Sequence, residues 1–348
     1  MALPNVDDKA LVSFLADLLN TPSPTGLAEP AIAFTEKAFT AINGVKTHRT
    51  YKGALVASWD GEKNDAPRAL TAHADTLGAM VKEIKESGRL SLTQIGGYAW
   101  NSIETEGCYV ITRKGDKIRG SILLTKASSH VFGSEVGKTE RSGDNMEVRL
   151  DAVVKSADDV RKLGIEVGDF VALDPRVELV NGFVRSRHLD DKACVACILA
   201  AVKEIAAAGL KPKQTVHILI SNYEEVGHGA AAGIPADVHE LVAVDMAAVG
   251  TGQNSDEFHT TLCVKDSGGP YHNGLSNHLR DLAEANGIDY KVDIYPYYGS
   301  DGEALWRAGG NAAVALIGPG IDASHSYERT HVDALIATTR WIMAYLLS

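Results

Sequence analysis

His73 and Asp75 stand two apart in TAHADT, at the end of an apolar run. Residues i and i+2 of a strand point the same way. Asp75 can therefore reach one ring nitrogen of His73 while the other binds a metal. Asp190 and Asp191 in RHLDDKA precede a long helix; capping explains one Asp there better than two. Glu224 and Glu225 in HILISNYEEVGHG follow an apolar strand. Adjacent carboxylates repel and their side chains diverge, so one can bind metal while the other reaches a water beside it. Asp245 closes the apolar run of ELVAVDMA, where a buried carboxylate is costly without a cation or a charged neighbour. His325 in GIDASHSYE follows AAVALIG and a Gly-Pro-Gly turn, and His331 competes with it six residues on.

Each of these signals is weak alone, since a lone His is more often a satisfied core or surface residue. Together they place two His and several carboxylates at four or five strand ends, where sites form in open α/β sheets. Oxygen and nitrogen donors without thiolate suit Zn, Co or Mn. Two metals about 3.5–4 Å apart need a carboxylate between them, and a water held there is a nucleophile near neutral pH. A carboxylate not used as ligand can take that water's proton and pass it to a leaving amine.

The elements that must position these groups follow from periodicity. Helices are expected over residues 7–19 and 28–42, split by TPSPTG, followed by strands in ALVASWDG and RALTAHADT. Over residues 81–181 short β-type runs (CYVITRK, IRGSILLT, MEVRLDAVV, DFVALDP) alternate with polar turns. One helix, SADDVRKLG, interrupts them with Ser156 as N-cap and Gly164 after its end. Beyond residue 181 strands and helices alternate again. The expected fold is α/β: a mixed β-sheet covered by helices on both faces, built from residues 1–80 and 182–348, with a small β-barrel domain inserted at 81–181.

With 34 Lys and Arg against 45 Asp and Glu, the 348-residue chain carries a net charge of −11. That argues against nucleic acid or an anionic membrane as the main partner. No apolar run approaches 18 residues, and the N-terminus has acids where a signal peptide would be basic. Four cysteines (Cys108, Cys194, Cys197, Cys263) are too few for a disulfide scaffold, and the Cys194–Cys197 pair reads as small buried hydrophobes on one helix. A reduced, cytoplasmic protein is expected.

TPSPTG, TAHADTLGAMV, LDDKACVACIL, EEVGHGA, VAVDM, GSDGEA at 299–304 and ASHSYE occur in one order and spacing along nearly the whole chain. In this the chain resembles the tetrahedral (TET) aminopeptidases, the glutamyl aminopeptidase-like cocatalytic metallopeptidases. The resemblance implies that His73 binds one metal and Asp75 orients it. It makes Asp190 the bridge, Asp245 the terminal ligand on the His73 side and Glu224 the general base and acid. Glu225 would bind the metal opposite His325 or share its site, and a His-Ser pair favours His325 over His331. It further implies a twelve-subunit homo-oligomeric shell that admits short peptides. Two departures stand out: Asp322-Ala323-Ser324 replaces the usual Arg-Tyr, and SGGPYHNGLSNH carries an extra His and Asn. The expected activity is removal of N-terminal residues from short peptides. Alternatives are a di-metal deacylase of N-acyl amino acids, a glycoside hydrolase with paired carboxylates, and a metal-stabilised scaffold without turnover.

Overall fold

The computed structural model describes residues 2–348. The chain divides into two compact units, Met1–Asp75 with Arg176–Ser348, and Thr76–Pro175. The changes of texture in the sequence, at 80/81 and 181/182, fall five to six residues later than these boundaries.

The first unit is built on a 13-stranded mixed sheet. At its centre lie four parallel strands, in the order Gln214–Ser221, Lys63–His73, Glu240–Val244 and Ala313–Asp322. Strands buried on both faces read as continuous apolar runs rather than as alternation, and HILIS, ALTAH and LVAV do so. Both faces are covered, as alternate residues reveal. Leu70, Ala72, Val242, Val244, Ala315 and Ile317 face one core. Ala69, Leu241, Ala243, Val314 and Leu316 face the other.

The first core is filled by the helices Asp8–Leu19, Glu29–Thr40, Leu189–Ala207, Asn273–Ala285 and Val332–Leu346. From Ala193 to Val202 the helix Leu189–Ala207 is apolar and buried all round, and Lys203 and Ala207 bring its end to solvent. Its Cys194 and Cys197 are fully buried free thiols. Burial pushes the Cys197 thiol up to about 12, so both behave as hydrophobes. Among the described residues no helix is long and apolar enough to cross a membrane.

Three local readings change. The Gly-Pro-Gly segment is not a turn: the strand Ala313–Asp322 runs straight through it. Its glycines are there for close approach, since a Cβ on Gly318 would lie 1.8 Å from the Asp245 carbonyl oxygen, and one on Gly320 as near that of Asp256. The turn comes later, at Ala323 and His325, which adopt φ of 58° and 62°. The helix Asn273–Ala285 starts four residues before the expected NHLRDLAEANG, because His272 serves as N-cap and accepts from the Leu275 amide at 3.2 Å. Finally, the strands Thr260–Asp266 and Tyr290–Ile294 extend the sheet; charged residues in both dilute their apolar signal.

The second unit is a closed barrel of six antiparallel strands: Gly78–Ile84, Leu90–Ile95, Met146–Leu150, Lys117–Leu124, Gly107–Ile111 and Phe170–Leu173. Closure leaves no free edge, and the barrel has its own apolar core, including Val81, Leu92, Val110, Ile122, Val148 and Val171. The helix Ala157–Lys162 starts as its sequence dictates, with Ser156 Oγ accepting from the Asp159 amide at 3.2 Å.

Candidate active site

Three of the four parallel strands end together, and the fourth runs on from Ile317 to Asp322. Ser221 is in register with His73, and Val244 with Ile317. The residues just past these ends therefore meet at one edge of the sheet, the usual place for a site in this architecture. Asp190 arrives from a different direction, at the start of the helix Leu189–Ala207.

The carboxylate of Asp190 lies between two imidazoles. Its Oδ1 is 3.1 Å from His73 Nε2 and its Oδ2 is 3.3 Å from His325 Nε2. A glutamate flanks each ring: Glu224 Oε2 is 3.6 Å from His73 Nε2, and Glu225 Oε2 is 3.7 Å from His325 Nε2. The diverging pair expected of consecutive acids is thus shared between the two histidines. Donor atoms of His73, Asp190 and Asp245 come within 4.8 Å of one another, close enough to hold one metal ion. All six side chains except His73 also line a cleft of about 410 Å³, together with Tyr297, Tyr298, Glu303, Arg307 and Ser324.

Asp75 holds the site from behind. His73 Nδ1 donates to its backbone carbonyl at 2.9 Å rather than to its carboxylate, which is 3.8 Å away. The carboxylate instead accepts from Thr25 Oγ1 (2.7 Å) and from the amides of Glu224 (3.3 Å) and Glu225 (3.4 Å). TPSPTG, which reads as a helix breaker, is a brace: Ser23 Oγ donates to the Ala74 carbonyl, and Lys192 Nζ donates to that of Thr21.

Two further acids escape a reading of the sequence. Asp301, within GSDGEA, accepts from Thr71 Oγ1, Ser221 Oγ and the Ala230 amide, at 3.0, 2.5 and 2.7 Å. It ties together the strands that carry His73 and Glu224. Glu328, within ASHSYE, accepts from the amides of Asp190 and His325. A lone acid in a motif does not say which amide or hydroxyl, 138 or 230 residues away, it will meet. His331 lies away from the cluster. It packs on Phe183 and Phe258 and caps the helix Val332–Leu346 through its Nδ1. Of the departures, only Ser324 reaches the cleft; His272 is a cap and His278 approaches Ser348.

Electrostatically the cluster wants a cation. Burial pushes Glu225 up to about 8 and Asp245 up to about 7, with the Asp190 charge adding to both. Burial raises Glu224 and Asp191 well above the ordinary carboxylate range. Asp191 Oδ1 is fully buried with no hydrogen-bond partner. Burial would lower His73, but the Asp190 hydrogen bond and the Glu224 charge raise it well above its usual value. Acids outnumber the histidines that could balance them, so the donor set and its charge fit bound divalent metal.

A mixed sheet covered on both faces, with acids and histidines gathered at its strand ends, is an arrangement that suits metal-assisted hydrolysis. Residues 53–341 match the M42 glutamyl aminopeptidase family. The chain is 48% identical to "Putative aminopeptidase YhfE" of Bacillus subtilis (strain 168) over 338 residues, 97% of each chain. It is 26% identical to the glutamyl aminopeptidase of Lactococcus lactis subsp. cremoris, covering 85% of this chain and 84% of the other. Among solved structures, the Pyrococcus horikoshii TET1 peptidase, described as assembling into a tetrahedron or a large octahedral shell, superposes with a TM-score of 0.85. Identity there is 21%, over 97% of this chain and 99% of that one. A TET aminopeptidase of a marine-sediment thaumarchaeote gives 0.86 at 17% identity, over 97% and 96%. The chain belongs to the M42 family and is a peptide hydrolase, with the aminopeptidase activity of that family.

Proposed function

We propose that this aminopeptidase removes N-terminal residues from short peptides with two divalent cations, Zn or alternatively Co or Mn, and Glu224 as general base. His73, Asp190 and Asp245 would hold one cation, and Asp190, Glu225 and His325 the other. The observation that carries this reading is the Asp190 carboxylate, one oxygen toward each histidine. When bound, the cations supply Lewis acidity that polarises the scissile carbonyl and acidifies water. Glu224 Oε2 takes the proton from the attacking water and passes it to the leaving amine. Asp75 fixes the Glu224 and Glu225 amides, and so the aim of both side chains.

The cleft supports a free amino terminus over an acylated one. Asp190, Glu224, Glu225, Asp245 and Glu303 line it against a single Arg307, whose guanidinium is paired with Glu303 at 2.6 Å. With the cations bound, Asp190, Glu224, Glu225 and Asp245 are engaged, and Glu303 is the lining acid left to meet a protonated amine; a neutral acyl group gains nothing from it. Chelated enzyme is expected to lose turnover and regain it when Zn, Co or Mn is returned. It should then cleave free peptides at least about 100-fold faster than their N-acetylated forms, a gap of about 2.7 kcal/mol. Equal rates would favour the deacylase reading, and turnover indifferent to chelator would end the metal reading. A homo-oligomeric, dodecameric shell in the cytoplasm, with the barrel unit serving assembly or access, completes the proposal and rests on the family.

Metal uptake should also release protons. Metal ligands must be deprotonated, and in the metal-free protein Glu225 titrates at about 8 and Asp245 at about 7. Below those values each binding event displaces a proton, so affinity falls as pH drops from 8 to 6. Calorimetric zinc titrations in buffers of differing ionisation enthalpy should show more than about one proton released per chain at pH 6.5 and fewer at pH 9. No release at pH 6.5 would contradict the assigned ligands.

A further inference from the structure

Glu328 is fully buried at the start of the strand Glu328–His331, and its backbone pairs with Ser186 on the strand that leads toward Asp190. Its Oε2 accepts from the Asp190 amide at 3.0 Å and its Oε1 from the His325 amide at 3.1 Å. One carboxylate therefore spans the two segments whose side chains face each other across 3.3 Å. The two histidines are held in different ways. His73 is held through its ring by the Asp75 carbonyl and through its amide by Asp191 Oδ2. His325 has a side chain 40% exposed and a left-handed φ of 62°, a region uncommon for residues other than glycine. Removing Glu328 leaves the His73 contacts in place and releases the Asp190 amide and a hold on the His325 backbone, so the His325-side cation loses support at two ligands and the His73-side cation at one.

We propose that Glu328 is a positioning residue that sets the affinity of the His325-side cation. It acts through the spacing of Asp190 and His325 rather than by touching metal or substrate. This rests on the two-cation reading above, and metal counting separates the two. In Glu328→Gln the shape is kept but only one oxygen can accept. Zinc content should be measured at a series of buffered free-zinc concentrations, with circular dichroism to confirm the fold. Wild type is expected to hold two zinc ions per chain. The variant should lose less affinity for the first, which keeps His73 and Asp245, and need about 10–100-fold more free zinc for the second, the usual effect of losing such a support. If Glu328→Gln does not fold, Glu328→Asp, one methylene short of both amides, carries the same expectation. Two unchanged affinities, or both weakened alike, would overturn the positioning role while leaving the metal reading intact. Wild type holding fewer than two zinc ions at saturation would overturn both.

Discussion

Glu224→Gln is expected to lower kcat by about 10³–10⁴-fold, about 4–5.5 kcal/mol of barrier, while zinc content stays at the wild-type value. Glutamine preserves the shape and the amide hydrogen bond to Asp75 Oδ1, so the neighbouring ligands keep their places. What it removes is a proton acceptor 3.6 Å from His73 Nε2, at the cleft wall. Metal-free melting offers a check that activity alone does not. Glu224 titrates well above the ordinary value, because burial and then its acidic neighbours Asp245, Asp301 and Glu225 disfavour its charge. A carboxyl with a raised folded value contributes stability below its unfolded value, lost as pH rises through the folded one. The metal-free variant should therefore melt no lower than wild type, and its relative advantage should grow with pH. Retained turnover would remove Glu224 as base. Lost zinc would instead make it a ligand.

What the sequence made legible divides along physical lines. Burial of a parallel sheet on both faces writes itself as apolar runs, and an acid or His at the end of such a run stands out against them; His73, Glu224, Glu225 and Asp245 were visible for that reason. Asp190 was visible as an excess over what a helix cap needs. The barrel announced itself by short runs at even spacing, and its helix Ala157–Lys162 by Ser156, whereas the four-residue helices Ser129–Phe132 and Glu135–Lys138 carried no such cap. What stayed hidden was contact between distant segments. Asp75 was expected to meet the His73 ring with its carboxylate; the backbone carbonyl does so, freeing the carboxylate for the Glu224 and Glu225 amides. Asp301 and Glu328 bind amides and hydroxyls that no local pattern links to them. Gly318 looked like a turn residue because close approach by another chain segment leaves the same mark as a turn: a missing side chain.

Asp190→Ala should behave oppositely to Glu224→Gln, losing both zinc ions and all measurable turnover. Among the described ion pairs, those of Asp190 reach both histidine rings, so its loss deprives each cation of a charged ligand at once. Affinity for either ion should fall by more than the 10–100-fold typical of a supporting residue. Metal-free melting again has a defined sign. His73 is raised, through the Asp190 hydrogen bond and the nearby carboxylates, against the opposing effect of burial. Its pairing with Asp190 thus contributes stability that is fully present below pH 6.5, the unfolded value, and fades as pH rises through the higher folded value. The variant should lose most in melting temperature near pH 6 and progressively less toward alkaline pH. A single zinc ion retained at wild-type affinity, measured by equilibrium dialysis, would show that Asp190 serves one cation rather than two. The shared-carboxylate geometry would then have to be replaced by two independent sites.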